Sequence, residues 1–290
     1  MIDGIRWGIN NERMTQHWFV VDWNCCLGAG GEGEVFLGRS LESFELCAIK
    51  VSTLLDRESA AAQLKSELDR VARVAGDGVV GLVAWNLDAP RPFLVFELAK
   101  AGTLADEMKR VCEKEGVYHP TRALERVREV LSALGHVHTH GLVHRDVKPA
   151  NLLRFGPALK LTDFGTGCSI GDGATEAVQS QGFVGTRLYA SPEQLRGEQV
   201  DERSDLYAVG CILHEMLTGV VPARGQRVRK YPHALILPEL DALLASLLDE
   251  RPECRPCSAV DAARRVDGVL ETYRSARQLW MELELGPSPY

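Results

Sequence analysis

Residues 144–151 read HRDVKPAN, and residues 163–165 read DFG. Asp146 and Asn151 stand five apart on a loop that follows a long helix-patterned stretch, and Asp163 comes twelve residues after Asn151. Each residue type has a chemical use in this order. A carboxylate at 146 can accept a hydroxyl proton or orient an attacking oxygen. An ammonium at Lys148 can neutralise charge that develops on a transferred group. The amide oxygen of Asn151 and the carboxylate of Asp163 are hard donors that suit Mg²⁺, an ion that takes few protein ligands and keeps several waters. D-F-G alone is common, whereas H-R-D-x-K-P-x-N followed by D-F-G at this distance is specific.

Upstream, residues 27–38 read LGAGGEGEVFLG, with G-x-G-x-x-G at Gly28, Gly30 and Gly33. Glycine lets backbone approach a phosphate because no Cβ intervenes. Taken alone, the stretch permits a strand-to-helix turn that cradles a dinucleotide, a hairpin laid over a nucleoside triphosphate, or a surface hairpin with no ligand. The second spelling adds a valine two residues on, here Val35. Strand-forming residues continue through EVFLG and no helix begins at the last glycine, which removes the dinucleotide turn. Lys50, in AIK, lies on a strand pattern 17 residues after Gly33. Alone it reads as a lysine snorkelling to solvent; beyond a glycine hairpin it can neutralise phosphates if a carboxylate aims it. Leu64, Leu68, Val71 and Val74 or Ala75 recur at spacings of three and four, which predicts a helix over 56–75. Glu67 on that helix is the candidate partner, Glu58 lying too near its start. By itself Glu67 reads as a solvated helix-face glutamate; the ordered set of four motifs overrides that plainer reading.

The rest of the chain frames these motifs. It has 290 residues, 45% hydrophobic and 25% charged, as expected of an ordinary globular chain. Thirty-three basic residues against 40 acidic ones give a net charge of −7, which argues against nucleic acid as the main partner. No run of 18 apolar residues predicts a membrane span. Asp3, Arg6 and Glu12 break any signal-peptide pattern, so a cytoplasmic setting with reduced thiols is expected for the eight cysteines. Cys254-x-x-Cys257 lacks a second metal-binding half and reads as two incidental thiols. WFVVDW, EVFLG and LCAIKV predict strands within 18–52, with two more at 79–86 and 93–97. Helices are predicted at 121–139, 204–218, 240–248 and 258–283. The class is therefore α+β: a small strand-rich lobe, then a larger helical one, with the change at ELAKAGTL, residues 97–104. The last residues, GPSPY, read as a frayed tail.

Over residues 20–268 the sequence resembles the eukaryotic-like serine/threonine protein kinases, including bacterial members, with 1–19 and 269–290 as flanking extensions. The resemblance implies a bilobal fold, with a five-stranded N-lobe sheet plus one helix, a helical C-lobe, and ATP with Mg²⁺ (or Mn²⁺) between them. It implies that Leu27, Gly28, Gly30 and Gly33 cover the nucleotide, and that Lys50 pairs with Glu67. Val35, Ala48 and Leu153 would enclose adenine beside the gatekeeper Phe96, with backbone groups of Glu97 and Ala99 at its edge. Asp146 would be the catalytic aspartate, with Asn151 and Asp163 on the metal. GTRLYASPEQL resembles the family's substrate-docking segment. Within it, Glu193 would pair with Arg255, and Asp205 would brace the catalytic loop. Lys148, and the Thr186 hydroxyl that would bond Asp146 and Lys148, indicate serine or threonine as the acceptor. Arg145 would await a phosphate on the activation segment, 163–193, with Ser180 the first candidate and Thr175 the second.

The chain departs from the family in three places. GQRVRKYPHALILPEL carries Pro232 and Pro238 and leaves little room for a helix the family usually has there. Arg224, just before it, and Arg227, Arg229 and Lys230 within it cluster, reading either as a solvated basic loop or as a site for an acidic or phosphorylated partner. Trp7, Trp18 and Trp280 lie in the flanks and are expected to pack on the lobes. Gly31 stands where the family often has serine or another small residue, which predicts a mobile hairpin tip until nucleotide binds. A pseudokinase scaffold would typically lack Lys50, Asp146 or Asp163, and a small-molecule phosphotransferase of the antibiotic-modifying type would lack Lys148 and the G-T-x-x-Y-x-[AS]-P-E segment. All are present, so a protein kinase is the expected function.

Overall fold

The structure, a computed structural model, describes residues 7–9, 17–31, 33–169, 186–223 and 237–282. The first third is a six-stranded antiparallel sheet of β1 (Trp7–Ile9), β2 (His17–Gly30), β3 (Gly33–Ser40), β4 (Leu46–Val51), β5 (Leu82–Asn86) and β6 (Phe93–Glu97), in the order β1-β2-β3-β4-β6-β5. The five strands implied by the resemblance are β2 to β6. The sixth is supplied by the N-terminal extension, where Trp7 pairs with Phe19 and Ile9 with His17. Three residues are too few for a strand period to show in the sequence.

Alternation along the strands sorts the side chains into two layers. Cys47, Ile49 and Val51 of β4 join Phe19, Val21, Phe36, Phe93 and Val95 in a cluster on the outer face. The intervening residues, Ala48 and Lys50, therefore face the other side, as do Leu94 and Phe96 of β6, which enter the main core. Helix α1 (Arg57–Arg73) packs on this inner face. Asp56 caps it by accepting from the Ser59 N–H at 2.8 Å, and Leu64, Leu68 and Val71 are its buried stripe. The strand expected from residue 79 begins only at Leu82. Val79 instead bridges to Leu161, while Leu161 N–H donates to Gly78 O at 2.8 Å and Val80 N–H to Leu161 O at 2.9 Å. Those bonds tie the small lobe to the large one.

The large lobe contains α2 (Leu104–Glu115), α3 (Pro120–Thr139), β7 (Leu142–Val143), β8 (Leu152–Phe155), β9 (Ala158–Leu161), β10 (Cys168–Ser169), α4 (Pro192–Arg196), α5 (Glu202–Thr218), α6 (Pro238–Leu247) and α7 (Ala259–Glu282). Helix α3 is its axis, packed by α5 and along α7. Thr103 and Asp106 form a reciprocal capping box at the start of α2. The helix expected at 240–248 is α6, which begins two residues earlier at Pro238, the first helical position, where a missing N–H costs nothing. The rest of the proline-bearing segment, 224–236, lies outside the described residues. No helix among the described residues is long and apolar enough to cross a membrane.

Candidate active site

The strand register builds the roof of a cleft. Val35 pairs with Lys50, Leu37 with Ala48, and Ala48 with Phe96, so Val35, Ala48, Lys50 and Phe96 stand on the inner face of three adjacent strands. Leu153, on β8, packs from below against the same core. In the β2–β3 hairpin, Gly28 pairs with Val35 and Gly30 with Gly33. The glycines do not share one reason for being glycine. A Cβ on Gly28, Gly30 or Gly31 would meet nothing within 4 Å, so these three leave open room. A Cβ on Gly33 would stand 2.5 Å from Val51 O, so that glycine is required by the neighbouring strand. Gly31 sits in the hairpin turn, and Glu32 beside it lies outside the described residues.

Lys50 reaches from β4 to two carboxylates. Its Nζ lies 2.7 Å from Glu67 of α1 and 2.7 Å from Oδ1 of Asp163. Lys50 is 6% exposed and Glu67 2%. Burial works against the ammonium, but the charges of Asp163 and then Glu67, with hydrogen bonds to both, raise its pKa and keep it protonated. Asp163 is the more open partner and adopts φ +68°, a left-handed conformation unusual outside glycine. Phe164 is buried beside it, its ring edge-on to His144 at 4.8 Å.

The loop of residues 144–151 is pinned at every turn. Lys148 Nζ donates to Asp146 Oδ2 at 2.6 Å. Asn151 Nδ2 donates to Asp146 O at 2.9 Å and to its Oδ2 at 3.0 Å, so the amide oxygen is the group left to ligate. His144 is fully buried; Nε2 faces the Thr162 carbonyl at 3.0 Å and Nδ1 accepts from Asp146 N–H at 3.3 Å. That pair of partners assigns the proton to Nε2. Asp205, at the start of α5, accepts from His144 N–H at 2.9 Å and Arg145 N–H at 2.8 Å, and its Oδ2 meets His138 Nε2 at 2.9 Å. Burial opposes charge on Asp205, yet the hydrogen bond from His138 and the backbone N–H bond of His144 hold its carboxyl below the usual range.

Arg255 and Glu193 form a buried bidentate pair at 2.6 and 2.8 Å, and Ser204 Oγ donates to the same carboxylate at 2.5 Å. One residue along, Gln194 Nε2 donates to Arg145 O at 2.8 Å, fastening α4 to the loop of residues 144–151. Tyr189 Oη donates to Glu215 Oε2 at 2.6 Å beside them. Glu97, at the end of β6, is held on both sides: its N–H donates to Gly81 O at 2.9 Å, and its Oε1 accepts from Gly81 N–H and Lys160 Nζ, each at 2.6 Å. Ala99 follows it on the chain between the lobes.

Some expected residues are not brought into this network. Ser180 and Thr175, with Arg224, Arg227, Arg229 and Lys230, lie outside the described residues. Thr186 opens a short 3₁₀ turn ending at Leu188, and its side chain is likewise outside the description. All eight cysteines are free, Cys254 and Cys257 exposed. Several supporting residues escaped sequence reasoning: His138, Gln194, Glu97 through its side chain, Lys160 and Arg70. Only Gln194 carried a readable signal, the capping-box spelling Ser191-x-x-Gln194, which the structure forms.

Comparisons with known proteins agree with this geometry. The family model for the protein kinase domain matches residues 24–264. The chain is 35% identical over 256 residues to serine/threonine-protein kinase PknB of Mycolicibacterium smegmatis, a match covering 81% of this chain and 40% of that protein. PknB of Mycobacterium tuberculosis is 34% identical over the same length. A probable serine/threonine-protein kinase of Streptomyces coelicolor, SCO3848, is 32% identical over 266 residues, 84% of this chain and 39% of that protein. The chain spans about 40% of the length of the curated relatives it matches. It belongs to the protein kinase family, among the eukaryotic-like serine/threonine kinases, with that family's α+β bilobal fold and the sequence motifs of an ATP-dependent phosphotransferase.

Proposed function

We propose that this protein transfers the γ-phosphoryl group of ATP to serine or threonine hydroxyls of protein substrates. One observation carries the reading: Lys50 is clamped between Glu67 and Asp163 at 2.7 Å each, opposite a loop in which Asp146 is aimed by Lys148 at 2.6 Å and Asn151 at 3.0 Å. This arrangement serves a transfer to a hydroxyl, because positive charge, hard oxygen donors and a carboxylate acceptor converge below open glycines.

Gly28, Gly30 and Gly33, with Leu27, would form the lid over the phosphates, and Val35, Ala48, Leu153 and Phe96 the adenine pocket. Glu97, its N–H already spent on Gly81, would offer its carbonyl, and Ala99 its N–H, to the adenine edge. Lys50, aimed by Glu67, holds the α- and β-phosphates. Asn151 Oδ1 and Asp163 fit a hard divalent ion: both are oxygen donors, and two protein ligands suffice where phosphates and waters complete the shell. When bound there, Mg²⁺ (or Mn²⁺) would draw negative charge from the phosphate oxygens. Asp146 accepts the proton of the substrate hydroxyl as its oxygen bonds to the γ-phosphorus. The bond from that phosphorus to the bridging oxygen breaks, and ADP carries away the electron pair. Lys148 stabilises the charge on the group in transit.

Lys148 and Thr186 favour serine or threonine over tyrosine. Arg145 Nε and Nη2 are buried without a hydrogen-bond partner among the described residues, which supports a role in receiving a phosphate, with Ser180 or Thr175 as its bearer. The basic residues Arg224 to Lys230 are the site proposed for an acidic or phosphorylated partner. Kinase boundaries at 20 and 268 and a cytoplasmic setting complete the reading; eight free thiols and the need for ATP support the latter. A binding scaffold without transfer has no observation in its favour.

The test is incubation of purified protein with labelled ATP and Mg²⁺ beside Asp146→Asn. Label on wild-type protein and on a generic protein substrate, absent from the variant, is the expected result. No label on the wild type under any divalent metal refutes the transfer.

A further inference from the structure

Helix α1 touches the Asp163 loop at a second place. Arg70 follows Glu67 by three positions, so both project from one face of the helix. Arg70 Nη1 donates to Phe164 O at 3.0 Å and to Gly165 O at 2.5 Å, the two carbonyls immediately after Asp163. The chain makes room for this reach. A Cβ on Gly167 would press on Arg70 Cδ and on Phe164 O, each at 3.3 Å, and Gly167 N–H closes a turn on Phe164 O at 3.2 Å. Asp163 itself holds a left-handed backbone, φ +68°, which persists only where the surroundings fix it. Those surroundings are Lys50 on the side chain, the buried Phe164 ring, and Arg70 on the backbone that follows.

We propose that Arg70 is a positioning residue for the metal-binding aspartate, coupling the placement of α1 to the placement of Asp163. Glu67 aims Lys50 and Arg70 aims the peptides after Asp163, so one helix sets both the phosphate-binding lysine and the metal ligand. Moving α1 away withdraws the two together, and the site then loses metal affinity as well as the lysine. A guanidinium suits the task, since it stays charged at any working pH and its planar head can span two neighbouring carbonyls. The proposal rests on the phosphotransferase reading for its kinetic arm alone.

The experiment compares wild type with Arg70→Gln, Arg70→Met and Arg70→Lys. The Met variant retains the apolar stem and serves if the Gln variant does not fold. The first readout is amide hydrogen exchange over residues 164–168 without nucleotide or metal, beside the thermal midpoint. The second is the Mg²⁺ concentration for half-maximal phosphorylation at saturating ATP. Faster exchange confined to that loop is expected for Gln and Met, with half-saturating Mg²⁺ raised about 10- to 100-fold, as for other residues that orient a metal ligand. Arg70→Lys should recover part of both effects, and binding of adenosine, which lacks phosphates, should be unchanged in all three. Wild-type exchange with an unchanged Mg²⁺ requirement overturns the proposal. So does equal weakening of adenosine and Mg²⁺, the sign of a merely structural role. A wild-type protein that phosphorylates nothing removes the transfer reading, and the exchange arm then decides the coupling alone.

Discussion

Replacing Arg255 by methionine strands a charge that the fold has buried. Glu193 is 2% exposed and receives both guanidinium nitrogens, with Ser204 its other side-chain donor. Arg255 also donates to Arg203 O at 3.0 Å, Asp249 O at 2.9 Å and Glu250 O at 3.3 Å, and its head lies 5.0 Å over the Tyr207 ring. Breaking a buried pair from one side costs ~3–5 kcal/mol, and the three bereaved carbonyls place Arg255→Met at the upper end. Glu193→Gln keeps the shape and leaves Arg255 its carbonyl partners, so it should cost less, ~1–2 kcal/mol. The pH dependence separates charge from packing. In the wild type, burial opposes ionisation of Glu193, but hydrogen bonds from Arg255 and Ser204 hold its carboxyl below the ordinary 4.5. That stabilisation is complete above 4.5 and lost as pH falls through the lowered value. Without Arg255, burial dominates and the carboxyl titrates above 4.5. The variant is then worst at neutral pH and recovers as acid neutralises Glu193. The gap between the two proteins should therefore narrow from pH 8 toward pH 5, measured by urea unfolding at each pH with equal slopes. A deficit that stays constant across this range would show that the loss is packing alone and would refute the buried-charge argument.

Two further outcomes are expected. Lys50→Met should abolish phosphate transfer, by about 10²-fold or more, while the thermal transition remains cooperative, because Asp163 is open enough to rehydrate and the buried Glu67 can protonate; a fully active Lys50→Met protein in the labelling assay would refute the role of this lysine. Gly33→Ala should destabilise the small lobe by ~1–3 kcal/mol and weaken ATP binding, since its methyl would stand 2.5 Å from Val51 O, whereas Gly30→Ala should leave the melting temperature of the free protein unchanged. Equal melting losses for the two alanine variants would show that the glycines share one role after all.

Much of this molecule could be read from spacing, and the unread part has a physical pattern. LCAIKV announces a strand by its β-branched residues, and a strand's period of two puts Ala48 and Lys50 on the face opposite Ile49 and Val51. Glu67 could be named as the candidate partner of Lys50 only through the ordered motifs and the resemblance they carry, since alone it reads as a solvated helix-face glutamate; the structure joins the two at 2.7 Å. The extra edge strand could not be read, since the three residues Trp7–Ile9 are too few to display an alternation.

The unread side chains at the site share a different cause. His138 meets Asp205 across 67 residues, Lys160 meets Glu97 across 63, and Arg70 meets Phe164 O across 94. None of the three pairs has a local spacing that ties its members together. Arg70 and Gln194 differ further in the partners they take, which are backbone carbonyls that every residue carries, so nothing in the partner's identity marks the contact. Motifs thus record the groups proposed to meet ATP and metal, because such ligands demand particular side chains. The groups that hold the motifs in place use generic acceptors and are visible only once the fold brings them together. That is why the bonds from Arg70 to the carbonyls after Asp163 emerge only from the folded chain, while Lys50 and Asp163 themselves stand out in the sequence.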